Sequence, residues 1–232
     1  MQPVLNVEDV KRVEVALTRV GVSISELMHR AGCAAAQEAL ALGDVQNAVI
    51  LAGMGNNGGD GWVAAEALLA HGVNVKVVTP IEPDQLSGDL ARQVAQRAVR
   101  AGVSTLVGPS RDELEGLLSA SDVALDCMLG TGFHGEVRAP FDIWIDCVNS
   151  SGVRVVAVDV PSGLSAQTGH APGPCVVADL TVTMLALKPG LLADDGRDVC
   201  GSIVVAPLAE QTEKIVVEAD PVAWRTDLED YL

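Results

Sequence analysis

Leu51-Ala-Gly-Met-Gly-Asn-Asn-Gly-Gly-Asp-Gly61 is the stretch whose reading decides the fold. It follows the apolar run Ala48–Ala52 and leads into a helical pattern, Gly61–His71. Gly53, Gly55 and Gly58 match G-x-G-x-x-G, a spacing that lets backbone approach a ligand where a strand hands over to a helix. No Lys-Ser/Thr follows, so the stretch is not a P-loop. Asp60 falls at the expected helix start, where the helix dipole favours a carboxylate. There it would repel a pyrophosphate and suits hydroxyl groups or a cation instead. Asn56 and Asn57 add side-chain carbonyls, which are hard oxygen ligands. The segment reads as an exposed loop, so a side chain at Gly58 is expected to cost ligand binding and little stability.

Outward from this loop, short apolar runs recur at Val73–Val78, Val123–Cys127, Arg154–Val158, Leu180–Met184 and Ile203–Ala206. Nearly continuous β-branched runs bounded by Gly, Pro, Asp or Asn are strands buried on both faces, as in a parallel sheet. Helical patterns Leu86–Ala101, Arg111–Ser119 and Phe141–Ser151 lie between them. The alternation predicts a Rossmann-like three-layer α/β/α sandwich with a mainly parallel central sheet of about six to eight strands. Two helices precede the first strand. They are Val7–Val20 and Ser23–Leu42, the second opened by a capping box of Ser23 and Glu26. Residues 1–232 read as one domain, with a charged tail from about Glu210 that wraps the surface or frays.

In an open α/β sheet, ligands bind beyond the carboxyl ends of the strands. Asp126 ends one strand and precedes Gly130, Thr131, Gly132, Phe133, His134, Gly135 and Glu136, a second glycine-rich loop. Asp159 ends the next and is followed by Pro161-Ser162-Gly163. Asn57, Asp126, Asp159 and Ser162 can thus converge from three loops. Oxygen ligands without His or Cys suit a hard cation or acid/base chemistry, not zinc. Lys188, after the Leu180–Met184 strand, is either a phosphate contact or an ordinary surface lysine.

Composition narrows the partners. A net charge of −16 over 232 residues repels nucleic acid and anionic membranes. Helix ends and local amides can still bind a small phosphorylated ligand. Five cysteines without a Cys-x-x-Cys pair fit a reducing, cytoplasmic compartment. Charges in MQPVLNVEDVKRVEVAL replace the apolar stretch of a signal peptide, and no apolar run approaches ~18 residues.

Four stretches carry a resemblance: GMGNNGGDGWVAAEAL (53–68), DCMLGTGFHGE (126–136), VDVPSGLSAQTG (158–169) and LALKPGL (185–191). With ISELMHRAG (24–32), the sequence from about residue 7 to residue 206 resembles the YjeF N-terminal domain family, whose enzymatic members are NAD(P)H-hydrate epimerases. The resemblance implies a substrate loop at Asn56, Asn57, Gly58, Gly59 and Asp60 and a second at Gly130–Glu136. It implies a substrate-contacting carboxylate at Asp159 and one potassium ion per subunit held by Asn57, Asp126 and Ser162. It further implies isomerase activity on NADHX or NADPHX, a homodimer, and functional coupling to an NAD(P)H-hydrate dehydratase. Met54 replaces a common proline and Glu66 a common arginine. Asp159 is the expected single acid/base group. Two rival readings are a non-catalytic nucleotide-binding or dimerisation module of the same fold, and an NAD-dependent dehydrogenase. The intact polar loops oppose the first. Asp60, and the lack of an acid ending the second strand, oppose the other.

Overall fold

The structure, a computed structural model, describes residues 1–226. Seven strands form one all-parallel sheet, in the spatial order β4 (Ser104–Val107), β3 (Asn74–Thr79), β2 (Asn47–Ala52), β5 (Val123–Cys127), β6 (Arg154–Val158), β7 (Leu180–Met184) and β8 (Ser202–Ala206). The central strands are buried on both faces, as their mainly apolar runs require. Helices α1 (Val7–Arg19), α2 (Ile24–Ala41), α3 (Asn56–Ala70), α4 (Asp89–Arg100) and α8 (Thr212–Glu218) share a core with Ile50, Val77, Leu125 and Val182. Helices α5 (Arg111–Ser119) and α6 (Phe141–Ser151) cover the opposite face through Val49, Leu51, Ala124 and Ala157. The three layers expected from the sequence are therefore present.

Chain order reverses between β2 and β5. From β2 the chain builds outward through β3 to β4; from β5 it builds the other way to β8. The two connections leaving this pair diverge to opposite sides, which opens a crevice at the carboxyl edge.

Several local expectations change. Helix α3 begins at Asn56, not near Gly61, so Asn56 to Gly61 is helix and not loop. Asp60 therefore lies in the second turn. Gly58 is buried, and a Cβ placed on it would come within 2.0 Å of the Gly53 carbonyl oxygen. A Cβ on Gly53 would meet the Met128 carbonyl oxygen at 1.9 Å. These glycines are required by backbone packing. The expected Ser23 capping box is half formed: Ser23 Oγ accepts from the Glu26 amide, but Glu26 turns to Arg30 at 2.7 Å. A complete box occurs instead at Ser110 and Glu113.

No local pattern marks β4, a half-buried edge strand, or β1 (Gln2–Val4) and β9 (Ala223–Arg225), which pair antiparallel. That pairing shows the tail wrapping back onto the N-terminus; its last residues, 227–232, lie outside those described. Strand β1 also bridges to Leu187, with the Leu5 amide 2.9 Å from the Leu187 carbonyl. This contact moors the start of α1 beside the segment after β7.

Gly58→Ala should destabilise the protein by on the order of 1–3 kcal/mol, because a methyl group must displace backbone. Urea denaturation reads this as a lower midpoint. An unchanged midpoint would mean that the approach to Gly53 is not tight.

Candidate active site

A cavity of about 650 Å³ occupies the crevice between β2 and β5. Its size is that of a small-molecule site. Four strand ends and one flanking helix build it.

From β2 comes the start of α3, with Gly55 as a cap that has no side chain to offer. The first amides of α3 are therefore free donors at a positive helix end. Asn57 is only 8% exposed, and neither its Oδ1 nor its Nδ2 has a partner. A buried amide left unsatisfied costs stability unless a ligand or ion completes it.

From β5 comes Asp126, fully buried beneath the cavity. It accepts from the Ser162 amide at 2.7 Å, the Ser162 hydroxyl at 2.5 Å and the Met128 amide at 3.2 Å. Burial pushes its carboxyl up to about 6, against these hydrogen bonds, which pull it down. Ser162 Oγ in turn accepts from the Leu129 amide at 2.9 Å, which ties the β5 and β6 loops together.

From β6 comes Asp159. Its φ is +70°, and the Val160 amide donates to the Val158 carbonyl at 3.0 Å. This is a γ-turn of the strained hand, which re-aims the side chain at the strand end. The same device ends β7: Leu185 has φ +68°, and the Ala186 amide donates to the Met184 carbonyl at 2.8 Å. Beyond it the chain delivers Lys188, which is 0% exposed.

The Lys188 Nζ donates to Asp159 Oδ1 at 2.8 Å, Thr183 Oγ1 at 2.8 Å and the Met184 carbonyl at 2.9 Å. All three of its protons are spent, so it is neither the surface lysine nor the phosphate contact anticipated from sequence. Asp159 Oδ2 accepts from the Thr131 amide at 2.9 Å. Burial alone would push the Asp159 carboxyl up. The Lys188 charge and hydrogen bond, with the Thr131 amide, outweigh burial and hold it below the usual range. A Cβ on Gly130 would lie 3.0 Å from Asp159 Oδ2 and 3.2 Å from Asn57 Cβ, so glycine there lets the two loops close up.

The remaining sequence-selected residues divide cleanly. Asn56, Asp60, Gly130, Thr131, Gly132, Phe133 and His134 line the cavity with Asn57 and Asp159. Gly58 and Gly59 do not; they pack against Gly53 and the Met28 side chain. Gly135 borders a separate pocket with Ser165 and His170, and exposed Glu136 lines neither. Met54 does face the cavity, whereas Glu66 pairs with Arg97 at 2.7 Å. Sequence reasoning missed Val7, Val10, Lys11 and Glu14 on α1, which also line it. Their spacing, one helical stripe with two charges in it, was the available signal. Burial raises the Asp60 carboxyl well above the usual range, and the charges of Asp159 and Glu14 add to the effect.

Relatives share this architecture. A yeast protein, YNL200c, superposes with a TM-score of 0.79 over 96% of each chain at 21% identity, which establishes the common fold. The Escherichia coli protein named bifunctional NAD(P)H-hydrate repair enzyme Nnr is 38% identical over 202 residues, covering 84% of this chain and 37% of that one. Its Hyperthermus butylicus counterpart is 36% identical over 94% of this chain and 40% of its own. This chain thus spans about two fifths of the bifunctional relatives. A Pirellula staleyi protein named NAD(P)H-hydrate epimerase is 38% identical over 178 residues, covering 76% of this chain and 78% of that one. Residues 24–190 match the family described as YjeF-related protein N-terminus, and they contain every strand end that builds the cavity. The chain belongs to the YjeF-related protein N-terminus family.

Proposed function

We propose that the protein is an NAD(P)H-hydrate epimerase, interconverting the R and S forms of NADHX or NADPHX in repair of nicotinamide cofactors. The observation that carries this reading is the buried Asp159–Lys188 pair beside the unpartnered Asn57, set in a dinucleotide-type crevice. Relatives named for the activity, one of them matched over most of its length, support it.

The chemistry follows from the charges. In the hydrate, the hydroxyl sits on the ring carbon beside the nitrogen. The nitrogen lone pair forms a C=N bond while the C–O bond breaks, and the departing oxygen takes a proton to leave as water. The ring becomes a planar cation. Asp159, held ionised by Lys188, provides the opposing charge. Water then adds to either face, and a carboxylate accepts the proton it loses. An ionised Asp159 suits the counter-charge role; the proton transfers suit a carboxyl that retains its own proton. The free amides at the start of α3 suit the substrate's diphosphate.

The donor set also fits potassium. Asn57 Oδ1 is buried without a partner, and Asp126 is buried with hydrogen bonds but no basic side chain. Asn57, Asp126 and Ser162 would hold the ion, whose charge would offset Asp126 and order the three loops. The same reading makes the protein a cytoplasmic homodimer whose S product passes to an NAD(P)H-hydrate dehydratase. The five free cysteines support that compartment, and the bifunctional names of relatives support that coupling. No helix among the described residues is long and apolar enough to cross a membrane.

Proton NMR of an R/S hydrate mixture with an S-specific dehydratase tests the activity. The R form should be consumed at an enzymatic rate only when this protein is added; persistence of the R form would refute the reading. Asp159→Asn should lower epimerisation by about 10²-fold or more while substrate still binds. A melt must accompany that assay, since the change leaves Lys188 buried without its counter-charge; full activity in a folded variant would remove Asp159 from the chemistry. Potassium should raise the melting temperature more than sodium does, and Asp126→Ala should abolish the difference. Equal responses in wild type and variant would rule out the ion site.

A further inference from the structure

Helix α1 brings a carboxylate to the cavity that no step above employs. Val10, Val13 and Leu17 anchor the helix in the core, and the Val4–Leu187 bridge fixes its start beside Lys188. Glu14 is half-buried and faces inward. Among the described residues, its carboxyl has no hydrogen-bond or ion-pair partner, and neither does that of Asp60. The two, with Asn56, line a side chamber of about 90 Å³, and all three also line the main cavity.

We propose that Glu14 and Asp60 are the acid/base pair of the epimerisation, holding one proton between them at the edge of the ring-binding cavity. This rests on the function proposed above. The pair donates its proton to the departing hydroxyl as the C–O bond breaks, and water is released. When water adds to the opposite face, it returns a proton to the pair and leaves the hydroxyl on carbon. No net proton or electron is consumed.

The surroundings dictate that one proton stays. Asp159 presents a fixed negative charge, and Lys188 spends its donors on Asp159, Thr183 and Met184, so it hydrogen-bonds to neither carboxyl. Lys11, on the same helix, reaches the cavity but is exposed, as is His134 on the far loop. The α2 wall of the chamber is Ile24, Leu27, Met28 and Ala31, which bring no charge. Arg30 of that helix is occupied by Glu26 and the Leu208 carbonyl. On α8, which packs against α1, the charged residues Glu213, Lys214 and Glu218 are all exposed. Two carboxyls that line one chamber beside a fixed anion favour keeping a proton on one of them. Burial, then the charge of Asp159, raises Glu14 above the usual range, with Lys188 and Lys11 pulling the other way.

Glu14→Gln tests the proposal in the intact chain, with kcat, KM and the pH profile measured on the R hydrate. The rate should fall by about 10²-fold while KM changes less than about threefold. Activity requires the shared proton, so kcat declines as pH rises through the pair's upper pKa. Removing the Glu14 charge lets Asp60 lose its proton more easily, so that decline should move to lower pH. Glu14→Asp should recover most of the rate, and Glu8→Gln, an exposed change on the same helix, should match wild type. A kcat within about twofold of wild type and an unmoved profile in Glu14→Gln would overturn the pair while leaving the epimerase reading intact. If Glu14→Gln fails to fold, the Glu14→Asp profile decides, since a spacer role would leave it unmoved. An inactive wild type would overturn both proposals.

Discussion

Backbone touching backbone at the sheet's switch point is the constraint on which the rest of the molecule depends. Gly53 lies against the Met128 carbonyl, and Gly58 lies against Gly53 itself. Neither contact tolerates a side chain. Because β2 and β5 carry their chains to opposite sides, these contacts help draw the two loops together over the crevice. Asn57 then sits on one wall, Thr131 and Gly130 on the other, with Asp126 and Ser162 pinned beneath. The same economy extends to the neighbouring layer. A Cβ on Gly32 of α2 would meet the Asp60 carbonyl oxygen and the Val63 Cβ, both at 2.5 Å, so α2 presses directly on the turn that carries the site.

Electrostatics give that geometry a purpose. A chain of net charge −16 places Glu14, Asp60 and Asp159 around one cavity and buries a single lysine behind it. Lys188 is aimed by a strained turn at Leu185, and Asp159 by an equivalent turn one strand over. Two such turns on adjacent strands are costly conformations for non-glycine residues, and they meet in one ion pair. The result is asymmetric: one carboxylate is fixed as an anion and two are left without partners. That division suits a reaction that passes through a cation and must move a proton twice.

Much of this was legible in the sequence, for physical reasons. Val123–Cys127, Arg154–Val158 and Leu180–Met184 were readable to the residue because a strand buried on both faces is mostly apolar and β-branched. Arg111–Ser119 and Phe141–Ser151 were readable from their periodicity. The convergence of Asp126 and Ser162 followed from their places at neighbouring strand ends. The start of α3 was misread because Asn-Asn-Gly-Gly has turn propensity. Tertiary packing overrode it, since only glycines allow the helix to begin so close to Gly53. Edge strand β4 is half-buried and short, and the β1–β9 ladder joins opposite ends of the chain, so neither leaves a local pattern. Lys188 looked like any lysine beside a proline, since its burial depends on Asp159, which lies 29 residues away in sequence. Glu14 looked like the solvent face of an amphipathic helix, because nothing local reveals that the helix lies over a cavity.

If the protein is an NAD(P)H-hydrate epimerase, the switch-point crevice binds the hydrated nicotinamide ring beside Asp159. A crystal structure of the protein grown in potassium and soaked with the R/S hydrate addresses it most directly. The ring should lie in the cavity between Asp159 and the Glu14–Asp60 side, with the diphosphate at the start of α3 and an ion within reach of Asn57, Asp126 and Ser162. A hydrate bound elsewhere on the protein, with this cavity filled by water alone, would contradict it.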